Sequence, residues 1–328
     1  MEVEVPSASE PPPKTEDVIR AVESKNGKSK THTHTPFLRC PSRPPRISRL
    51  RRKVKVQFRI PNSRRNGGSG RQTFPINYNN NERKLDDYLR IRQPKVSIEK
   101  RKALVDWLFD MHCREFLEHM TALAAVDIFD RFLSEAQNVV SIEEVDYVAV
   151  AAMHIATKYH ETQLFVTLSL DELIQCVNGG LPDPNGLHRY RGRVMEKRIL
   201  DELGWKLEVP TVYTFIHRFL NAAIKNPLDL DPTLEEMLIF YAKLGIWNYQ
   251  LMITYPLEML AAAAIYAACA FTCNMSMWQD TVRDHTGFKD TQLLACSKRM
   301  LELHWVGHED CNWWIPFNSN DDVHHAPN

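Results

Sequence analysis

From Ser24 to Asn81 the chain contains no aspartate and no glutamate, yet the same stretch carries 15 lysines and arginines. Lys+Arg and Asp+Glu both total 41, so the remaining residues hold 26 basic against 41 acidic side chains. A formal net charge of zero therefore conceals a basic arm joined to an acidic body. Long apolar runs are also missing. The longest, Met259 to Phe271, has 13 residues, too few to cross a bilayer and suited to a buried helix. No apolar segment follows the N-terminus, so neither a secretory signal nor a membrane partner is expected. There is no Cys-x-x-Cys. Seven cysteines, an odd number, are scattered at positions 40, 113, 176, 269, 273, 296 and 311, a pattern of reduced thiols in an intracellular protein.

Catalytic signatures are absent as well. The chain has no Gly-x-Ser-x-Gly, His-Glu-x-x-His or Gly-x-Gly-x-x-Gly. Gly27-Lys-Ser does not make a phosphate loop, because position 22, where a second glycine is needed, is Val22. His308-x-x-Cys311 is half of a zinc ligand set. Glu143 and Glu144 read as a helix start, and His154, on an apolar Ala/Met/Ile helix, reads as a satisfied core histidine. No enzyme, cofactor or metal is expected.

What is present is helix. Apolar content is 44%, enough for a core, and 328 residues suggest about two domains. Residues 1–82 have almost no hydrophobic periodicity and are expected to be disordered, basic from about residue 24. Val54 to Phe58 alternates weakly, as a short strand or as coil. Arg49, Arg51, Arg52, Lys53 and Lys55 form a basic cluster that fits a nuclear import signal or a solvated charge run. Direct nucleic-acid binding is disfavoured, because no aromatic side chains are interleaved to stack on bases. Beyond it, Leu104, Trp107, Leu108 and Met111 fall on one helical face, and helices are expected near 98–116, 121–134, 141–160, 168–177 and 189–203. Ser97 is a candidate cap, and Ser141-Ile-Glu-Glu is a capping box. Asn178 to Gly186 is a turn-rich loop. A second helical set follows at about 211–224, 232–246 and 256–273, with two shorter helices to about 303. No final helix is evident after His304. Trp313, Trp314 and Phe317 either pack back as a clasp or form an exposed apolar patch.

Arg-x-x-Leu-Val-Asp-Trp-Leu at residues 101–108, then Asp-Arg-Phe-Leu-Ser at 130–134, resembles the cyclin box. The resemblance continues through residues 151–159, 195–200 and 209–215, and Met277 to Phe288 is similar to the second fold of plant B-type (mitotic) cyclins. It spans roughly residues 85–303. It implies an all-α protein of two tandem five-helix folds, with domains at 83–208 and 209–304 and a divergent tail at 305–328. It also implies a regulatory subunit that activates a cyclin-dependent Ser/Thr kinase at G2/M, in nucleus and cytoplasm. Carried over residue by residue, Lys158 and Glu196 would meet the kinase, with Ile155, Tyr159, Leu200 and Phe215 as apolar neighbours. His160 replaces a common Glu. Leu104, Trp107 and Asp110 would form a patch docking Arg-x-Leu substrates or inhibitors, made smaller and more basic by Ala103 and Lys100. Arg101 and Asp130 would form a buried structural ion pair. The usual destruction box and Lys-Glu-Asn motif are missing before residue 100, which leaves the route of degradation open. Two rivals stand beside this reading: a cyclin-fold scaffold without kinase activation, and a cyclin-fold transcription factor, which the acidic body disfavours.

Overall fold

A computed structural model describes residues 85–161, 168–177, 183, 185–223, 230–278, 282–307 and 313–315. The basic cluster at Arg49 to Lys55, the alternating Val54 to Phe58, His308, Cys311 and Phe317 lie outside these residues.

Among the described residues the secondary structure is helical, with no strand. The elements are α1 (Tyr88–Ile91), α2 (Ile98–Glu115), α3 (His119–Glu135), α4 (Ile142–His160), α5 (Leu170–Val177), α6 (Leu187–Glu202), α7 (Val212–Ala223), α8 (Pro232–Trp247), α9 (Tyr249–Thr254), α10 (Leu257–Phe271), α11 (Met275–Met277), α12 (Arg283–Thr286) and α13 (Asp290–Val306). Capping chemistry sets several of these boundaries. Ser97 Oγ accepts the Lys100 amide at the start of α2. At α4 the box is closed: the Glu144 amide donates to Ser141 Oγ (3.2 Å) and the Ser141 amide to Glu144 Oε2 (3.1 Å). Asp231 accepts from Thr233 and Leu234 ahead of Pro232, which suits the first turn of α8. The start of α3 has no cap from its own flank. Glu161, just past the end of α4, takes that role across the fold, its Oε1 accepting the Glu118 amide (2.9 Å) and the Thr121 hydroxyl (2.6 Å).

Each half is built around one alanine-rich helix. In the first, Ala149, Ala151, Ala152 and Ala156 of α4 are fully buried against α3, α5 and α6. In the second, Ala261 to Ala264, Ala267 and Ala268 of α10 are equally buried against α7, α8 and α13. Small side chains let the surrounding helices approach closely, and larger neighbours fill the core between them. Where α8 meets α13 a glycine leaves room for a side chain of the other helix. A Cβ on Gly245 would lie 2.8 Å from Met300 Cε.

The second half differs from expectation in two ways. A short α9 follows α8 directly, capped by Asn248. Where two shorter helices to about 303 are expected, the chain forms the stubs α11 and α12 and then the 17-residue α13, which runs to Val306. The tail also returns: Trp313 and Trp314 are 4% and 9% exposed, seated on Phe109, Phe240 and Trp247. Of the two arrangements open for these tryptophans, the clasp is the one adopted.

The two halves are tied by a guanidinium. Arg101 is fully buried. Its Nε and Nη2 donate to the Asp130 carboxylate (2.9 and 2.7 Å), joining α2 to α3. Its Nη2 and Nη1 also donate to the carbonyls of Ile246 (2.8 Å) and Trp247 (3.0 Å). Those carbonyls end α8, where a helix leaves its last carbonyls to be satisfied from outside, so a cation from the first half caps a helix of the second. Tyr88 completes the cluster, donating its hydroxyl to Asp130 Oδ1 (2.6 Å).

Candidate functional site

The last turn of α4 and the middle of α6 lie side by side, and their polar side chains converge. Glu196 on α6 is largely covered, with 12% of its side chain exposed, while Lys158 on α4 is 48% exposed. The Lys158 ammonium donates to Glu196 Oε1, and His154, one turn earlier, meets Glu196 Oε2 at 3.2 Å through Nδ1. Burial, reinforced by the nearby Lys158 and Arg193 charges, pushes the His154 imidazole down to about 4, so it is neutral near pH 7. In that state its Nδ1–H donates to the carboxylate. His154, which reads from the sequence as a core histidine, thus fixes the orientation of Glu196. Partial burial also lowers the Lys158 pKa. The result is a positioned carboxylate with an ammonium at its outer edge.

The apolar surroundings divide into two sets. Tyr159 is exposed, and its ring meets His160 edge-on at 4.9 Å between centroids. Burial pushes His160 down to about 4, so the residue where a Glu is common presents a neutral ring. Leu200 is half-buried on α6. Ile155 and Phe215, expected as apolar contacts of the site, are buried in the core and offer little surface themselves.

One exposed aromatic residue just past the end of α6 was not identified from the sequence. Trp205 follows α6 with φ +61° and is 66% exposed, its amide donating to the Leu200 carbonyl. A non-glycine residue in left-handed conformation is uncommon, and a large exposed indole there is a candidate contact. The Leu-Gly-Trp triplet was the available signal, since Gly204 shares the positive φ and marks a helix end.

The second expected patch lies on α2. Leu104 is completely buried and Trp107 nearly so, while Ala103 and Asp110 are half-buried. Lys100 pairs with Asp146 of α4 at 2.5 Å. The Trp107 indole N–H is buried without a hydrogen-bond partner. Leu104 and Trp107 therefore form the floor of this patch, and Ala103 and Asp110 form its outer surface.

Among the described residues no group of three or more His, Cys, Asp or Glu is placed to hold a metal ion, and no helix is long and apolar enough to cross a membrane. Cys113, Cys176, Cys269, Cys273 and Cys296 are free thiols.

Two family models match in tandem. The cyclin N-terminal domain covers residues 74–208, and the cyclin C-terminal domain covers residues 210–312. Among known proteins, the chain is 34% identical to the G2/mitotic-specific cyclin-2 of Antirrhinum majus over 224 residues, 68% of this chain and 47% of the relative. It is 37% identical to Cyclin-B1-3 of Oryza sativa subsp. japonica over 231 residues, 70% of this chain and 45% of the relative. It is 34% identical to the G2/mitotic-specific cyclin S13-7 of Glycine max over 229 residues, 68% of this chain and 80% of the relative. The chain thus spans about half the length of the first two.

Proposed function

The chain belongs to the cyclin family, and from that premise we propose that it is the regulatory subunit of a cyclin-dependent Ser/Thr protein kinase acting at G2/M. The observation that carries this reading is the Lys158–Glu196–His154 group between α4 and α6, with exposed Tyr159 next to Lys158 in the chain and exposed Trp205 just past the end of α6. Opposite charges at a rim fix the orientation of a partner, while aromatic anchors beside them supply affinity. The regulatory subunit carries out no chemistry. It binds the kinase conformation whose regulatory helix is turned inward and shifts the population toward it. The surface on Ala103 and Asp110, floored by Leu104 and Trp107, is the proposed site for Arg-x-Leu substrates or inhibitors. The pairing of Lys100 with Asp146 takes the charge of Lys100 out of that contact. Residence in nucleus and cytoplasm, with import through Arg49, Arg51, Arg52, Lys53 and Lys55, is part of the same proposal.

The test is co-purification with a panel of cyclin-dependent kinases followed by histone phosphorylation. Lys158→Glu, at a side chain 48% exposed, should abolish capture and activity while leaving the thermal transition within about 2 °C, because surface substitutions change stability by only about 0.5 kcal/mol. Capture without phosphorylation would favour the scaffold reading, and no capture by any kinase would overturn the proposal.

A further inference from the structure

The tail that returns over the seam between the two folds rests on a slot it does not build. The slot walls come from three helices: Asp106 and Phe109 of α2, Phe240, Tyr241 and Trp247 of α8, and His304 of α13. Trp313 packs on Phe109 at 5.0 Å between ring centroids and on Trp247 at 6.0 Å. Trp314 stands edge-on to Phe240 at 5.4 Å and packs on Trp247 at 5.6 Å.

Two polar groups in the slot point at the incoming segment. Asp106 Oδ1 accepts the Trp247 indole of the wall at 2.7 Å, and the same oxygen accepts the Trp313 indole at 3.1 Å. The Tyr241 hydroxyl lies 2.9 Å from His304 Nδ1, and His304 Nε2 lies 2.8 Å from the Ile315 carbonyl. Burial holds that imidazole neutral. Tyr241 therefore donates to Nδ1, and Nε2–H donates to the tail. One group thus reads a side-chain N–H and the other a main-chain carbonyl two residues on. Recognition of an extended peptide uses this combination of main-chain hydrogen bonds and side-chain pockets.

We propose that the α2–α8–α13 slot is a peptide-binding site whose ligand is the chain's own Trp313-Trp314-Ile315 segment, which clamps the two folds together. The clamp is separable from the slot, since all the slot's polar and aromatic groups belong to helices that end before the tail begins. Nothing in this assignment depends on a kinase.

The experiment compares the full chain with a chain ending at Gly307. The shortened chain should melt lower by at least about 5 °C, because two buried tryptophans are lost. Its amides at 103–112 and 238–247 should exchange faster. A labelled synthetic peptide of residues 309–318 should bind it saturably and restore the melting point, and should bind the full chain at least tenfold more weakly because the slot is filled. The same peptide with both tryptophans changed to Ala should not bind. If the shortened chain does not fold, Trp313→Ala/Trp314→Ala in the full chain decides by exchange at the same two segments and by binding of the peptide in trans. Equal peptide binding to full and altered chains, or unchanged melting and exchange without the tail, would overturn the proposal.

Discussion

Replacing Arg101 by Met removes the guanidinium while keeping much of the volume of a fully buried side chain. It strands the Asp130 carboxylate, which is left with the Tyr88 hydroxyl as its remaining partner from the cluster, at 2.6 Å. It also strands the carbonyls of Ile246 and Trp247 at the end of α8. Breaking one side of a buried ion pair costs about 3–5 kcal/mol. Each orphaned carbonyl adds about 1–3 kcal/mol unless water reaches it. These terms overlap, so we expect a loss of roughly 4–6 kcal/mol. That is a large share of the ~5–15 kcal/mol that holds a folded protein together. In a body of this size it corresponds to about 8–24 °C in melting temperature. Thermal and urea unfolding followed by circular dichroism at 222 nm measures it. Arg101→Met/Asp130→Leu isolates the pair: with both charges removed, the double variant should recover at least about 2 kcal/mol relative to Arg101→Met alone. A loss below about 1 kcal/mol for Arg101→Met, or strictly additive single and double variants, would refute the argument that this cation joins the folds.

Glu161→Ala should cost about 1–2 kcal/mol and speed amide exchange at residues 118–121, since its carboxylate caps α3 from across the fold. Lys243 gives the contrasting case. Its ammonium is buried over the Phe109 ring, 3.2 Å from His112 Nδ1, and burial lowers its pKa. Lys243→Met should therefore cost less than about 1 kcal/mol or stabilise, checked by the same urea transition. His304 makes the protein acid-sensitive. Its folded pKa of about 4 lies below the ordinary 6.5, so the neutral ring's contribution is complete above pH 6.5 and is lost as pH falls toward 4. At pH 5 that loss is about 2 kcal/mol. His304→Gln should flatten the fall in melting temperature between pH 7.5 and 5, and an unchanged slope would refute it.

Much of the helical pattern could be read along the chain because its causes are local. The Ser141–Glu144 box spans three residues, and the apolar spacing of α2 and α10 repeats within a turn. Lys158 and Glu196 were found by family resemblance alone; nothing in their spacing brings together positions 38 apart, and His154 shows why. A polar residue on an apolar helix looks self-contained until the carboxylate it orients is placed beside it. Trp205 escaped because a positive φ at a non-glycine residue leaves no trace in composition. The clasp and the Arg101 cap are harder still, joining Asp106 to Trp313 and Arg101 to Trp247 across 207 and 146 positions. A charged or aromatic side chain can be assigned to the interior from its neighbours, but which distant carbonyl or indole satisfies it depends on how the two folds dock. That docking includes a few buried hydrogen bonds whose loss strands other groups, whereas each core helix shares its burial among many side chains. Single substitutions at Arg101, Asp106 or His304 should therefore loosen the seam before they unfold either half, and exchange at 238–247 should rise before exchange at 148–156 does.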